Sequence, residues 1–195
     1  TIATYQVHED VFTSARHSLF MVSTTITSTG FGTDDYMAYP PTGLGVVLGL
    51  MFIGGMSGST AGGIKVSRMV LMAENTWNQL RKSIRPNVVE VTRLGREVVS
   101  EDTLNAVSTF FFMFMVSLGL GTLVICYTDG VPVFTAFGAM LTSLSNMGPG
   151  PFYQEADNFA RYTPTAKLIF SVAMVLGRLE FFTVLALLLP ELWRR

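Results

Sequence analysis

The chain has 195 residues, of which 49% are apolar and only 14% are charged, and its mean hydropathy is +0.44. This is the composition of a membrane protein rather than a soluble one. A net charge of −1 gives no support for nucleic-acid binding, and the single cysteine, Cys126, excludes an internal disulfide.

The first predicted element is a short helix over residues 11–26, with Asp10 as its candidate N-cap. Its 16 residues give about 24 Å of helix, which is too short to cross a bilayer. The helix runs into an uncharged, hydroxyl-rich stretch, residues 24–32, named here the first turn motif. Because a helix C-terminus carries partial negative charge, this end of the helix would attract a cation.

Residues 42–64 form an uncharged stretch of 23 residues, long enough to cross a bilayer. Its last part, residues 54–63, holds five glycines in ten residues and is named here the glycine-rich segment. Each glycine costs about 1 kcal/mol relative to alanine in a helix. We therefore expect irregular backbone, which is tolerated at membrane depth only where protein or a water-filled cavity covers it.

Several interpretations of the glycine-rich segment are open. A phosphate-binding loop is excluded, because Ile64 stands where that motif needs lysine. An intramembrane serine protease using Ser57 would need a base, and the two histidines, His8 and His17, lie far upstream. A mobile flap in a pore and simple packing of small residues between helices are the other two interpretations. Packing does not explain the glycine doublets.

The loop of residues 65–102 carries seven basic residues, and Arg194 and Arg195 close the sequence. The positive-inside rule places both regions in the cytoplasm. Mixed charge with interspersed apolar residues over 72–100 predicts a cytoplasmic helical region that is broken near Pro86.

Residues 103–128 are uncharged over 26 positions and predict a membrane-spanning helix. A short helix over 132–144 follows, with Pro132 in its first turn. This helix runs into residues 142–150, named here the second turn motif. The last apolar stretch, 168–190, is interrupted near its middle by Arg178 and Glu180.

The two turn motifs align without gaps at a distance of 118 residues. The match continues downstream, where Pro41 pairs with Pro164 and residues 51–56 pair with 174–179. A repeat of this length is typical of duplicated membrane domains. Each unit reads as short helix, turn and spanning helix, and the first unit's leading helix is expected upstream of Thr1. Charge-free turns that contain glycine are what a cation pore loop needs, because their backbone carbonyls can replace an ion's hydration shell.

Arg178 matters because a charge near the centre of a span costs at least about 2.5–3.5 kcal/mol on insertion scales. The repeat puts it at the depth of Gly55, so carbonyls of the glycine-rich segment could surround its guanidinium. The alternative is a buried structural ion pair with a helix that lies outside this sequence.

The two turn motifs, the sequence Gly-Gly-Met-Ser-Gly-Ser-Thr-Ala-Gly-Gly-Ile-Lys at 54–65 and Arg178 together resemble the Trk/Ktr/HKT superfamily of potassium transporters. The resemblance is closest to the pore subunit of bacterial Trk potassium uptake systems. It implies an all-α integral membrane protein built of tandem helix–pore-loop–helix units around a pseudo-fourfold cation pore. Residues 1–64 would be the third unit without its first helix, 65–102 a cytoplasmic helical segment and linker, and 103–195 the fourth unit.

The resemblance also implies site residues. Those that would offer ligands to K⁺ in the filter are Ser28, Thr29, Gly30, Ser145, Asn146, Met147 and Gly148. Those that would form a gate beneath the filter are Gly54, Gly55, Ser57, Gly58, Gly62, Gly63 and Arg178.

The expected function is potassium uptake across the cell membrane, with K⁺ as the transported ion and no catalytic cofactor or enzymatic activity. The implied setting is a multi-pass protein in the bacterial inner membrane. Implied partners are the N-terminal half of the same pore, a second copy in a homodimer, and a cytosolic nucleotide-binding ring that controls the gate. The alternatives kept open are an intramembrane serine protease using Ser57 and a non-conducting packing subunit.

Overall fold

The structure is a computed structural model that describes residues 10–33, 35, 38–56, 58–85, 92–94, 97–148, 159–179 and 181–188. Its elements in chain order are α1 (Val11–Ile26), α2 (Pro41–Phe52), β1 (Ile53–Gly54), β2 (Ile64–Lys65), α3 (Val66–Ile84), β3 (Arg93–Leu94), β4 (Glu97–Val98), α4 (Glu101–Asp129), α5 (Val133–Leu144), a 3-10 turn (Phe159–Arg161), α6 (Pro164–Leu179) and α7 (Phe181–Leu188).

Helix α4 is the long apolar helix that the sequence predicts. Among the described residues it is the one helix that is long and apolar enough to cross a membrane. Its N-terminus is capped by Ser100, whose hydroxyl accepts a hydrogen bond from the Thr103 N–H at 3.4 Å. Its C-terminus stops at Gly130, which adopts a left-handed conformation with φ of 64°.

The two short helices, α1 and α5, lie close to their predicted bounds but have different surroundings. Helix α5 packs against α4 and α6 and also reaches α2, so nine of its 12 residues are buried. Helix α1 packs mainly against α2, and four of its 16 residues are buried. The two short helices therefore share a sequence pattern, but α5 is largely buried and α1 is largely exposed.

The predicted span over 42–64 is not one helix. Helix α2 ends at Phe52, and the chain returns so that β1 pairs in parallel with β2, Ile53 opposite Ile64 and Gly54 opposite Lys65. The Val66 N–H then donates to the Gly55 carbonyl at 3.2 Å. The glycine-rich segment is thus an irregular loop whose two ends are hydrogen-bonded to each other, as its composition predicts.

The sequence predicts further helix between residues 86 and 100, and this prediction is wrong for the residues of that region that the structure describes. Helix α3 ends at Ile84, and β3 pairs antiparallel with β4 in a short hairpin. Proline at position 86 disfavours helical backbone at Arg85, and the β-branched Thr92 and Val98 favour extended structure. The side chain of Asn78 donates to the Thr92 hydroxyl at 3.2 Å and holds the hairpin against α3.

The last predicted span, 168–190, is described as helix on both sides of residue 180. Helix α6 starts earlier, at Pro164, and ends at Leu179, and α7 begins at Phe181. Glu180, between them, lies outside the described residues.

Four phenylalanines from α2, α4 and α7 pack together on the inner side of α4. The ring centroids of Phe110 and Phe181 lie 5.5 Å apart in an edge-on arrangement, and those of Phe52 and Phe114 lie 6.2 Å apart. Phe114 is completely buried. The cluster joins the end of α2, where the backbone becomes irregular, to the long helix.

Replacing Phe114 by alanine is expected to destabilise the protein by about 3–5 kcal/mol, because a fully enclosed aromatic ring leaves a cavity. Thermal unfolding of the purified protein in detergent measures the loss. Phe112→Ala is the matched control, since this ring lies two residues away on the same helix and is 62% exposed. Equal melting temperatures for the two variants would contradict the role given to the cluster.

Candidate functional site

The first turn motif ends α1 in a Schellman arrangement. The Thr29 N–H donates to the Thr24 carbonyl at 3.0 Å, and the Ser28 N–H donates to the Thr25 carbonyl at 3.2 Å. Ser28 has a φ of 54°, which is the left-handed conformation this ending requires. Glycine usually fills such a position, so serine there is a locally strained choice that costs about 1–2 kcal/mol.

The second turn motif has the same backbone. The Met147 N–H donates to the Thr142 carbonyl at 3.0 Å, and the Asn146 N–H donates to the Ser143 carbonyl at 3.2 Å. Asn146 has a φ of 53°, almost equal to that of its counterpart Ser28. The gapless alignment of the two motifs is therefore reproduced hydrogen bond by hydrogen bond.

A glycine with positive φ follows each strained residue. Gly30 has a φ of 79° and Gly148 a φ of 96°, a region that side chains with a Cβ rarely enter. Within the described part of the chain, an ideal Cβ on Gly148 would touch nothing within 4 Å. The positive φ is by itself a conformational reason for glycine at this position.

The two motifs differ in how their side chains are bonded. The Thr142 hydroxyl donates to the Gly148 carbonyl at 2.8 Å and fixes the direction of that peptide. Its counterpart Thr24 is equally buried, and its hydroxyl has no hydrogen-bond partner among the described residues. The second motif is thus held more firmly than the first.

Two side chains of the second motif reach the neighbouring helices. The Ser145 hydroxyl donates to the Met51 carbonyl at 2.8 Å, and the Asn146 amide donates to the Met174 carbonyl at 3.0 Å. The sequence predicts that Ser145 and Asn146 offer ligands to the ion, and it does not predict Met51 or Met174 as their partners. No local signal in the sequence could have done so, because the Ser145–Met51 pair is separated by 94 positions.

The glycine-rich segment lies directly against the second motif. A Cβ on Gly62 would collide with the Ser145 carbonyl and stand 3.1 Å from the Cβ of Asn146. A Cβ on Gly54 would collide with the Gly62 carbonyl, so the loop is also closed tightly on itself. Glycine is therefore required at position 62 by the approach of two backbones.

A further glycine, which the sequence did not mark as a site residue, also lies against the end of α5 and the second motif. A Cβ on Gly177 of α6 would collide with the Leu144 carbonyl and lie 3.0 Å from the amide nitrogen of Asn146. The repeat contained a usable signal, because the downstream match that pairs Met51 with Met174 also pairs Gly54 with Gly177.

The remaining predicted gate residues have different surroundings. Gly55 lies within the loop, where a Cβ would crowd the Ser59 side chain, and Gly58 and Gly63 have positive φ values of 87° and 76°. Ser57 lies outside the described residues. Arg178 follows Gly177 in the last turn of α6, where its side chain is exposed and makes no hydrogen bond or ion pair within the described part of the chain.

The electrostatics of the site come from backbone dipoles. Neither turn motif contains a charged residue, and the described part of the chain has no cluster of His, Cys, Asp or Glu that could hold a metal ion. Both short helices direct their C-terminal carbonyls toward their motifs, which favours a cation there. At the other end of α1, hydrogen bonds from the hydroxyl and the N–H of Thr13 hold the pKa of Asp10 below its ordinary value.

Comparisons with known proteins agree on one family. The family model described as "TrkH: Cation transport protein" matches residues 2–193. The chain is 36% identical over 190 residues to the Trk system potassium uptake protein TrkH of Salmonella typhimurium, covering 97% of this chain and 39% of that relative. It is also 36% identical over 189 residues to the Trk system potassium uptake protein TrkI of Halomonas elongata, covering 94% of this chain and 38% of the relative.

A solved structure shows the same fold. The crystal structure of the potassium transporter TrkH from Vibrio parahaemolyticus superimposes with a TM-score of 0.85 at 29% sequence identity. The match covers 99% of this chain and 41% of that protein. The chain thus spans about two fifths of the length of each of these relatives and of the solved structure.

Proposed function

The chain belongs to the TrkH family of cation transport proteins and is a helical membrane protein, and from this premise we propose that it forms part of a potassium pathway across the bacterial inner membrane. Its two turn motifs supply two strands of a selectivity filter. The ligands they offer to K⁺ are the backbone carbonyls of Ser28, Thr29, Gly30, Ser145, Asn146, Met147 and Gly148.

The observation that carries this proposal is the repeated backbone of the two motifs. Each holds a strained, left-handed residue and then a glycine with positive φ at the C-terminus of a short helix. Strain repeated at equivalent places is typical of functional sites. Carbonyls oriented by such turns can replace the hydration shell of K⁺ without any charged side chain.

We further propose that the glycine-rich segment and Arg178 form the gate. Gly62 touches the second motif from one side and Gly177 touches it from another, so the loop and the end of α6 meet next to Asn146. Arg178 directly follows Gly177, and its guanidinium would repel cations that leave the filter. Displacing the loop would open the path, and the positive-φ residues Gly58 and Gly63 are places where its backbone could turn.

The alternative functions receive less support. A protease using Ser57 would need a base, but His17 contacts the hydroxyl of Thr33 and the guanidinium of Arg16 on the outer part of α1. The named relatives are potassium uptake proteins and not hydrolases. A packing subunit would explain the close contacts of Gly62 and Gly177, but not the strained backbone repeated at Ser28 and Asn146.

The proposed partners follow from the incomplete enclosure of the first unit. On α1, Phe12 is 88% exposed and Leu19 is 70% exposed, whereas the equivalent helix α5 is largely buried. We propose that the rest of the same pore covers this face. The resemblance further suggests a homodimer and a cytosolic nucleotide-binding ring that acts on the gate through the region following Lys65.

The function is tested in cells that lack their own potassium uptake systems. We expect the complete protein that contains this chain to restore growth at low external K⁺ and to take up labelled K⁺ or Rb⁺. Cells with an empty vector and cells expressing a transporter with a deleted second turn motif serve as controls. Failure of the well-expressed protein to take up K⁺ would contradict the proposal.

A further inference from the structure

We infer that the Ser145 hydroxyl is a positioning group that fixes the second turn motif to the broken end of α2, and that this bond contributes to discrimination between K⁺ and Na⁺. The inference rests on the proposed potassium pathway and deepens it. It assigns a role to the Ser145 hydroxyl, whereas the Ser145 carbonyl packs against Gly62 of the glycine-rich segment.

The break in α2 creates the acceptor. In a continuous helix the Met51 carbonyl would accept the N–H four residues later, but α2 ends at Phe52 and that bond is not made. Met51 is 2% exposed, so its carbonyl has little access to water. The Ser145 hydroxyl, itself buried, supplies the missing donor at 2.8 Å.

The same residue is in contact with the glycine-rich segment on its backbone side. The Ser145 carbonyl is the atom that a Cβ on Gly62 would strike first. One residue thus holds the end of α2 through its hydroxyl and meets the returning loop through its carbonyl. A change in either contact changes the orientation of the peptide that precedes the strained Asn146.

The first motif shows that this bond is not a general property of the turn. Thr27, the counterpart of Ser145, directs its hydroxyl back to the Ser23 carbonyl of its own helix at 2.6 Å. The backbones of the two motifs are nevertheless the same. The bond to Met51 is therefore not needed to form the turn, and its consequence is to tie the turn to the neighbouring unit.

The experiment compares Ser145→Ala with Ser143→Ala in the complete transporter. Ser143 is also buried, but its hydroxyl bonds to the Ala139 carbonyl within its own helix, so it controls for loss of a buried hydroxyl. Ser145→Thr keeps the donor, and threonine already occupies the equivalent position 27. The measured quantities are KM for K⁺, maximal uptake rate and the inhibition constant for Na⁺, together with the melting temperature in detergent.

We expect Ser145→Ala to lower the ratio of K⁺ to Na⁺ apparent affinity about three- to ten-fold, the range for loss of one buried hydrogen bond. The ratio should fall less in Ser143→Ala and in Ser145→Thr than in Ser145→Ala. Equal ratios in Ser145→Ala and Ser143→Ala would overturn the inference, whatever their melting temperatures. If Ser145→Ala does not fold, Ser145→Cys replaces it, because a thiol is a weak hydrogen-bond donor. A wild-type ratio of K⁺ to Na⁺ apparent affinity in Ser145→Cys would then overturn the inference, and a reduced ratio would support it.

The positioning role of Ser145 and the proposed potassium pathway are contradicted by different results. Normal K⁺ uptake with an unchanged ratio in the Ser145 variants contradicts the positioning role alone. Absence of K⁺ uptake by the wild-type protein contradicts the proposed function, and this inference with it.

Discussion

Replacing Gly148 by serine in the complete transporter is expected to reduce its preference for K⁺ over Na⁺ by about ten-fold or more. The glycine has a φ of 96°, and forcing a residue with a Cβ into such backbone costs about 1–2 kcal/mol. Relaxation of the peptide would relieve this strain and turn the carbonyl away from the proposed ion path. Uptake of labelled K⁺ in the presence of competing Na⁺ measures the change.

The repeated backbone provides a second test of the same idea. Gly30 has a φ of 79° at the equivalent place, so Gly30→Ser should also reduce selectivity. Gly119→Ser is the matched control, because this glycine in α4 also has open space around its Cβ position but has no positive φ. Unchanged K⁺/Na⁺ preference in both turn-motif variants would count decisively against the filter role.

Replacing Arg178 by alanine, or deleting several residues within 55–62, is expected to raise K⁺ flux about ten-fold when the proposed cytosolic partner is absent. A positive charge in the proposed pathway opposes the passage of cations, and removing it lowers the barrier at the proposed gate. A change of about 1.4 kcal/mol in the equilibrium between closed and open states is sufficient for this factor. Flux is measured in proteoliposomes with and without the regulatory ring.

Arg161→Ala is the control for the gate, since it removes a positive charge just before the N-terminal end of α6. Its flux should match that of the wild type. The deletion variant must elute from size-exclusion chromatography like the wild type before its flux is interpreted. Wild-type or lower flux from folded forms of both gate variants would contradict the gate and favour a structural role for Arg178.

The sequence by itself determined the features that depend on neighbours along the chain. Apolar length predicted α4, and the N-cap Asp10 and the uncharged turn predicted the limits of α1. The alignment of the two turn motifs predicted their equal backbones, because a Schellman ending is formed by residues no more than five apart. The density of glycine likewise predicted that α2 would not continue through 54–63.

The predictions that were wrong concern places where short-range preferences compete. Mixed charge after residue 86 favoured helix, yet the described part of that region pairs as a hairpin held by Asn78 and Thr92. Helix and strand preferences of single residues differ by about 1 kcal/mol or less, so tertiary contacts decide between them.

The tertiary structure alone decided how the site is held together. The bond from Ser145 to Met51 joins residues 94 positions apart, and the contacts of Gly62 and Gly177 with the second motif depend on how closely three separate segments approach. Sequence patterns show which atoms need a partner, such as the carbonyl left open where α2 ends. The packing of the helices determines which partner each atom finds. Hydrogen bonds and van der Waals contacts act over only a few ångströms, so residues distant in sequence interact only where the fold brings them together.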